Sequence, residues 1–316
     1  MHTGRRRILS IDGGGIKGVF PASFLATVED TIGASAANYF DLIVGTSTGG
    51  IIALGLGLGF SATEILAFYE RMGPQIFGAT GLRQILNKVR QVGTSKYGHR
   101  ELKASLESLF GERKLGESRT RLVVPSFNLE TGEVHVFKTR HLARYDRDHK
   151  ERVVDVALAT ASAPTFFPAH RSSSGIPLID GGIWANNPTG FAVVEGVAVL
   201  GWPNDAIHVL SLGCTAQPFS ISRARFHAYG LGYWGIKAAE LFMAGQSSAS
   251  LGVAANLIGH EDVRRVNPVM PAGRFGLDKV SEIRSLKGLG ASEARKELPR
   301  LKVDFFDVPV EPFVPF

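Results

Sequence analysis

A strand-length run, Arg6 to Asp12 ("RRILSID"), stops at three consecutive glycines, Gly13 to Gly15, and gives way to a helix-period run in which Val19, Phe20, Phe24, Leu25, Val28 and Ile32 recur. The pattern returns at "FDLIVG", which leads through "TSTGG" into the apolar stretch "IIALGLGLG", a helix buried on most sides. Two successive strand, glycine-turn, helix units confine the chain to folds in which helices cross over a mostly parallel sheet. Pro21 suits a first helical turn, and Ser61 to Glu64 ("SATE") is a capping box that opens a further helix presenting Ile65, Leu66, Phe68 and Tyr69.

From Gly73 to Gly98 basic residues interleave with Ile76, Phe77, Leu82, Ile85 and Leu86, the pattern of a cap or mobile insertion. Regularity resumes with the helix "RELKASLESLF", the hairpin "RLVVPSFNL" and "EVHVFKT" joined around Thr131 and Gly132, and the helix "RVVDVALATAS", which stops before Pro164. "IPLID" is a strand, Asn187 as cap with Pro188 in first position starts the helix "PTGFAVVEGVAVL", and the strand "AIHVLSLG" follows. Residues 216–316 read as mainly helical, with no Pro/Ser/Gly linker before them, so one domain over residues 1–316 is expected.

With 316 residues, 44% of them hydrophobic, the chain can bury the core of a large α/β domain. The 37 glycines fall in short clusters without a period, which excludes a collagen-like chain. A single cysteine, Cys214, forbids an intramolecular disulfide and suits the reducing cytoplasm. The start "MHTGRRRILSIDGGG" lacks the apolar length of a signal peptide, and "GGIIALGLGLGF" and "MAGQSSASLGVAANLIG" read as too short or too polar for a membrane span, so a soluble protein is expected. A net charge of +6 and a pI near 9.5 fit an anionic partner, a nucleic acid or an acidic membrane surface, as well as a merely basic soluble protein. Basic residues are spread (Arg5 to Arg7, Lys88 to Arg100, Arg140 to Arg152, Arg295 to Lys302) without aromatic interleaving or zinc-finger spacing, which argues against DNA or RNA.

Gly13, Gly15 and Gly18 match the dinucleotide fingerprint of a nicotinamide-dependent oxidoreductase. That fold needs an acid at the carboxyl end of the second strand, but Asp41 stands at its start, and Glu29 and Asp30 fall inside the first helix. The second strand delivers "GTSTGG" instead, a G-x-S-x-G between strand and helix that makes Ser47 a candidate nucleophile, or failing that a helix cap or phosphate-binding serine. The usual serine, acid, histidine order would need a histidine, but each candidate reads as structural or surface: His208 lies in an apolar strand, His170 follows a proline-aromatic loop, and His227 and His260 have unremarkable surroundings. Asp180, in "LIDGGIWANNP", ends an apolar strand at the carboxyl edge of the sheet; alone it is an ordinary Asp-Gly turn, and with Ser47 it is a candidate base. A free aspartate, with a pKa of about 3.9, is a poor base, so this role requires a water-poor site and a direct hydrogen bond to the serine. The amides of the glycine loop would form a nest for developing negative charge, beside which Lys17 adds positive charge or simply faces solvent.

"DGGGIKG", "GTSTGG" and the "DGG" at Asp180, in that order, resemble the patatin-like phospholipase family, and the resemblance runs on through "SKYGHRELKASLESLFGERKL", "LVVPSFNLETGEVHVFKT" and "ATASAPTFFPAH", covering a motif core of residues 6–215. The resemblance implies a three-layer α/β/α fold with a mostly parallel central sheet, and release of fatty acids from membrane phospholipids by a serine-aspartate dyad without metal or cofactor. It assigns Ser47 as nucleophile, Asp180 as base and the backbone of Gly13, Gly14 and Gly15 as oxyanion hole. Many members carry arginine where Lys17 stands; lysine keeps the charge and loses the planar fork. The opening also resembles compact bacterial members that serve antiphage defence and are switched on by cyclic dinucleotides such as cGAMP. Expected partners are therefore a membrane phospholipid at the inner membrane surface, a cyclic dinucleotide and further copies of the chain. The stretch from Phe77 to Arg100 and the C-terminal third are where a nucleotide would be sought. A nucleotide-responsive binding protein with a secondary or inactive hydrolase site is the alternative.

Overall fold

A computed structural model describes residues 4–78, 94–218 and 231–316, with backbone alone for 231–240. Most of the basic stretch between Phe77 and Arg100, and His227, lie outside the described residues. Strand β1 (Arg6–Ile11) leads through the glycine loop to helix α1 (Val19–Ile32), and β2 (Leu42–Gly45) leads through Ser47 to α2 (Thr48–Gly57). Helices α3 (Ala62–Phe77) and α4 (His99–Phe110) precede the hairpin of β3 (Arg121–Asn128) and β4 (Glu133–Lys138), whose turn holds Gly132 at φ 71°. Then come α5 (Val153–Ala161), β5 (His170–Arg171), β6 (Pro177–Asp180), α6 (Gly182–Ala185) and α7 (Thr189–Val194). Strand β7 (Ile207–Leu212), α8 (Leu231–Ile258), β8 (Val263–Val266) and α9 (Ile283–Asp304) are the last elements.

One sheet takes the order β5-β6-β3-β2-β1-β7-β8, with β4 also paired to β3. The pairings from β3 through β2, β1 and β7 to β8 are all parallel, whereas β4, β5 and β6 pair antiparallel, which bears out a mostly parallel central sheet. Along β3, residues Arg121 to Val123 pair with β2 and Ser126 to Asn128 with β6, while β4 pairs with residues of both stretches. A strand has two edges, so β2 and β6 share one of them, meeting nearly end to end from opposite directions. That geometry aims the end of β6 at the turn after β2.

Side chains alternate across the sheet with period two and build a core on each face. Leu9, Ile43, Leu122 and Leu210 join the larger cluster with α1 to α5 and α9. Ile8, Leu42, Val44, Val123 and Val209 face the other way, onto Ala192 and Val193 of α7 and Ala254 and Ile258 of α8. Three layers result, and fully buried residues such as Phe20 and Phe24 each stabilise them by about 1.5–3 kcal/mol.

Three expectations change. The C-terminal part contains β8, a parallel strand on the edge of the sheet, and is not only helices and connections. Pro188 is the cap of α7 and not its first residue; the Asn187 side chain still caps it, accepting from Thr189 N–H at 3.1 Å, and the helix runs on into a π-helical turn at Glu195–Val199. The stretch read as too polar for a membrane lies in the 28-residue α8, whose window Leu241–Ile258 is long and apolar enough to cross one by length and composition, with 22% of it buried in the fold.

Candidate active site

The turn after β2 is tight enough to require glycine on both sides of Ser47. A Cβ on Gly45 would lie 2.1 Å from the Gly49 carbonyl oxygen, and one on Gly49 would lie 2.3 Å from that of Ile11. Ser47 itself sits at φ 56°, ψ −122°, a conformation that costs a β-carbon-bearing residue roughly 1–3 kcal/mol and must be held by its surroundings. Three hydrogen bonds do so: Ser47 N–H donates to Thr160 Oγ1 at 2.9 Å, the Thr160 hydroxyl to Pro125 O at 2.6 Å, and the Thr46 hydroxyl to Ala185 O at 2.6 Å. The Ser47 side chain is thereby presented at the N-terminus of α2, where the helix dipole favours negative charge.

Asp180 reaches the same place from β6, paired with Ser126 of β3. Its N–H donates to Ser162 O at 3.0 Å, and its Oδ1 accepts from Gly182 N–H at 2.6 Å. Burial raises its pKa to about 6, while the neighbouring Ser47 hydroxyl and the Gly182 N–H pull the other way. The carboxylate is therefore largely ionised at neutral pH yet more basic than an ordinary aspartate.

The glycine loop divides its amides. Gly13 N–H donates to Asn186 O at 2.9 Å, so it is already engaged and stands behind the pocket wall. Of the three glycines expected to form an oxyanion hole, Gly14 and Gly15 line the pocket with Ser47 and Asp180, and Gly13 does not. Gly15, at φ 58°, packs so closely that a Cβ would lie 2.4 Å from Leu277 O. The loop is anchored at Asp12, whose carboxylate is gripped at both oxygens by Arg265 of β8; Arg265 Nη1 also donates to Ser211 Oγ at 2.8 Å. Lys17 is absent from the pocket lining and lies near Asp12 and the buried Cys214; burial lowers its pKa and both neighbours counteract this.

Two residues here escaped the sequence reading. Asn186 stands between Gly13 and Gly182, its Oδ1 close to where either would carry a Cβ, and its only signal was its place in "ANNP" after "DGG". Arg265 belongs to the short strand "VRRV", where no motif marks it. His99 also lies near the site: its Nε2 is 2.9 Å from Ser162 Oγ, and burial pushes its pKa down to about 4, leaving it neutral. His170 pairs with Asp155 and His208 with Asp262, and none of the described histidines lines the pocket. Asp41 is engaged by Arg6 and the Arg7 N–H at the start of β2, away from the place a ribose would need.

Above Ser47 opens a pocket of about 450 Å³, within the range of small-molecule sites and lined mainly by apolar groups such as Ile51, Met72, Phe77, Leu102 and Phe166. A buried nucleophile candidate, a basic carboxylate and two glycines of the loop at the foot of an apolar trough form a site suited to an ester on a long acyl chain.

The family model described as Patatin-like phospholipase matches residues 9–193. Among curated relatives, the cGAMP-activated phospholipase of Pseudomonas aeruginosa is 33% identical over 300 residues, spanning 92% of this chain and 88% of that protein. The cGAMP-activated phospholipase of Vibrio cholerae serotype O1 is 31% identical over 341 residues, spanning 97% and 96%. Patatin-like protein 3 of Arabidopsis thaliana is 37% identical over 221 residues, spanning 60% and 51%. Matched over more than half its length by that family model and over nearly all of it by two such relatives, the chain belongs to the patatin-like phospholipase family.

Proposed function

We propose that the protein is a serine acyl hydrolase that releases fatty acids from membrane phospholipids at the inner surface of the cytoplasmic membrane, and that a cyclic dinucleotide such as cGAMP activates it in antiphage defence. The observation that carries the chemistry is Ser47, held in a strained turn beside the buried, more basic Asp180 at the foot of an apolar pocket. The names of the Pseudomonas and Vibrio relatives support the activation.

Asp180 takes the Ser47 proton as Oγ attacks the ester carbonyl carbon. The oxyanion that forms is met by the Gly14 and Gly15 N–H groups and the N-terminus of α2. Collapse expels the lysophospholipid alkoxide, which receives the proton from Asp180 and leaves an acyl group on Ser47. Asp180 then deprotonates a water, which attacks the acyl carbonyl, and the fatty acid departs as Ser47 regains its proton. The Asn186 carbonyl, through Gly13, and Arg265, through Asp12, keep the loop in place during the cycle.

The test is fatty acid release from liposomes by wild type, Ser47→Ala and Asp180→Asn, with and without a panel of cyclic nucleotides. Ser47→Ala is expected at background, and Asp180→Asn to lose roughly 10²–10⁴-fold, the usual worth of a positioned base. Near wild-type release by either folded variant rejects the dyad. Release by wild type that no nucleotide alters rejects the activation alone.

A further inference from the structure

Helix α8 seats Ala254 and Ile258 in the core, but over its preceding turns the described residues reverse the usual polarity. A helix on the surface of a globular domain normally turns apolar residues to the core and charged ones to water. Here the inward face carries Gln246, Ser247 and Ser250, which bond to Asn187 and to Gly190 N–H, while the outward face carries Phe242, Ala249 and Val253, with Phe242 71% and Val253 45% exposed. From Leu241 to Ile258 there is no Asp, Glu, Lys or Arg at all. Water alone would not favour an exposed apolar stripe of that length.

The stripe is continuous with the pocket. Phe242 and Met243, at the start of this uncharged window, line the cavity above Ser47, as does Ile183 of α6, itself 47% exposed. These partly exposed side chains form the mouth, so whatever covers the stripe also covers the entrance. A protein partner there would close the pocket, whereas a bilayer would bring acyl chains to it. Although the window meets the length and composition of a membrane span, the bonds from Gln246, Ser247 and Ser250 to the Asn187 loop fasten one side of it to the domain. The geometry of a helix lying in the interface plane, with one face buried in the headgroup and acyl boundary, satisfies both constraints.

We propose that the outward face of α8, from Phe242 to Val253, together with Ile183, is the surface that docks this protein on a phospholipid bilayer, seating the Ser47 pocket on the lipid. The assignment rests on the acyl hydrolase reading for its substrate, and its test separates the two. Val253 lies outside the pocket, about 16 Å along the helix from Phe242 at 1.5 Å per residue.

Full-length protein bearing Ser47→Ala, which leaves the lipid intact, is sedimented with phosphatidylethanolamine and phosphatidylglycerol vesicles in the presence of cGAMP, with and without Val253→Asp. Val253→Asp is expected to weaken vesicle binding roughly tenfold or more, since it replaces a buried aliphatic contact by a charge, and Val253→Leu is expected to bind like the parent. With Ser47 restored, Val253→Asp should slow vesicle hydrolysis while leaving hydrolysis of a dissolved short-chain ester unchanged. Ala249→Asp on the same face gives a second reading should the first variant fold poorly. Vesicle binding unaffected by either charge, or no vesicle binding by the parent, overturns the proposal. So does a change from dimer to monomer in light scattering with vesicle binding intact, which assigns the face to a second copy of the chain. A wild type that docks but hydrolyses neither lipid nor ester removes the acyl hydrolase reading and leaves the docking surface standing.

Discussion

At the scale of single residues, Asp180 carries a conflict between stability and chemistry. Its folded pKa of about 6 lies above the roughly 3.9 of an unfolded aspartate, so the fold prefers it protonated. The stabilisation from that preference is fully present below about pH 4 and is lost as pH rises through about 6, amounting to something on the order of 2–3 kcal/mol. Asp180→Asn keeps an acceptor for Gly182 N–H and abolishes the charge; it is expected to melt higher than wild type at pH 7.5, with the gap closing towards pH 4, in paired thermal melts across that range. Over the same range wild-type hydrolysis should rise with a midpoint near pH 6 as the base ionises. A melting difference that does not vary with pH would reject the buried-base account. The turns that carry Ser47 and Asp180 were legible because their setting is local: glycines around a strand end dictate a turn whatever the rest of the chain does. The engagement of Gly13 by Asn186, and of Asp12 by Arg265, joins residues far apart in sequence, and nothing in the local pattern announces it.

At the scale of elements, α2 and β1 are fitted to one another through bare backbone. A Cβ on Gly49 would meet Ile11 O at 2.3 Å and Asp12 O at 2.7 Å, both backbone atoms with little room to yield. Gly49→Ala is expected to destabilise by roughly 1–3 kcal/mol, and to lower ester hydrolysis further than the lost folded fraction explains, because the displaced strand end carries the glycine loop. Urea titration and turnover on the same preparation check this; an alanine variant with unchanged stability and activity would mean that the close approach is absent. The early strands and helices were readable from period because one face of each meets a core. Strand β8 was not, since its arginines are paired inside the molecule: Arg264 with Glu297 of α9 and Arg265 with Asp12. In helix α8, Gln246, Ser247 and Ser250 are turned inward and bonded, an arrangement that hydropathy along the sequence does not reveal.

At the scale of the whole molecule, the C-terminal third is part of the catalytic scaffold. Helix α9 covers α1, where Gly290 lets its backbone approach Phe20, and Leu286, Leu298, Leu301, Phe305 and Phe306 complete the larger core. Arg7 of the central strand ion-pairs with Asp307 and donates to Val308 O just beyond that helix. A chain cut after residue 282 would uncover the apolar face of α1; it is expected to lose its cooperative melt and to bind a hydrophobic dye, and a soluble truncated form with a sharp transition would contradict the packing.

The sequence by itself determined the class of fold, the two strand-turn-helix units and the two candidates, Ser47 and Asp180, on which the proposed chemistry rests, because period, turn chemistry and nucleophile motifs are written in neighbouring residues. Only the tertiary structure decided how Asp180 reaches Ser47: β6 runs antiparallel along the edge of β3 that β2 also uses, so the two strand ends converge. Strand direction depends on which edge is free and which core the alternate side chains fill, properties of the assembled sheet that no single segment contains.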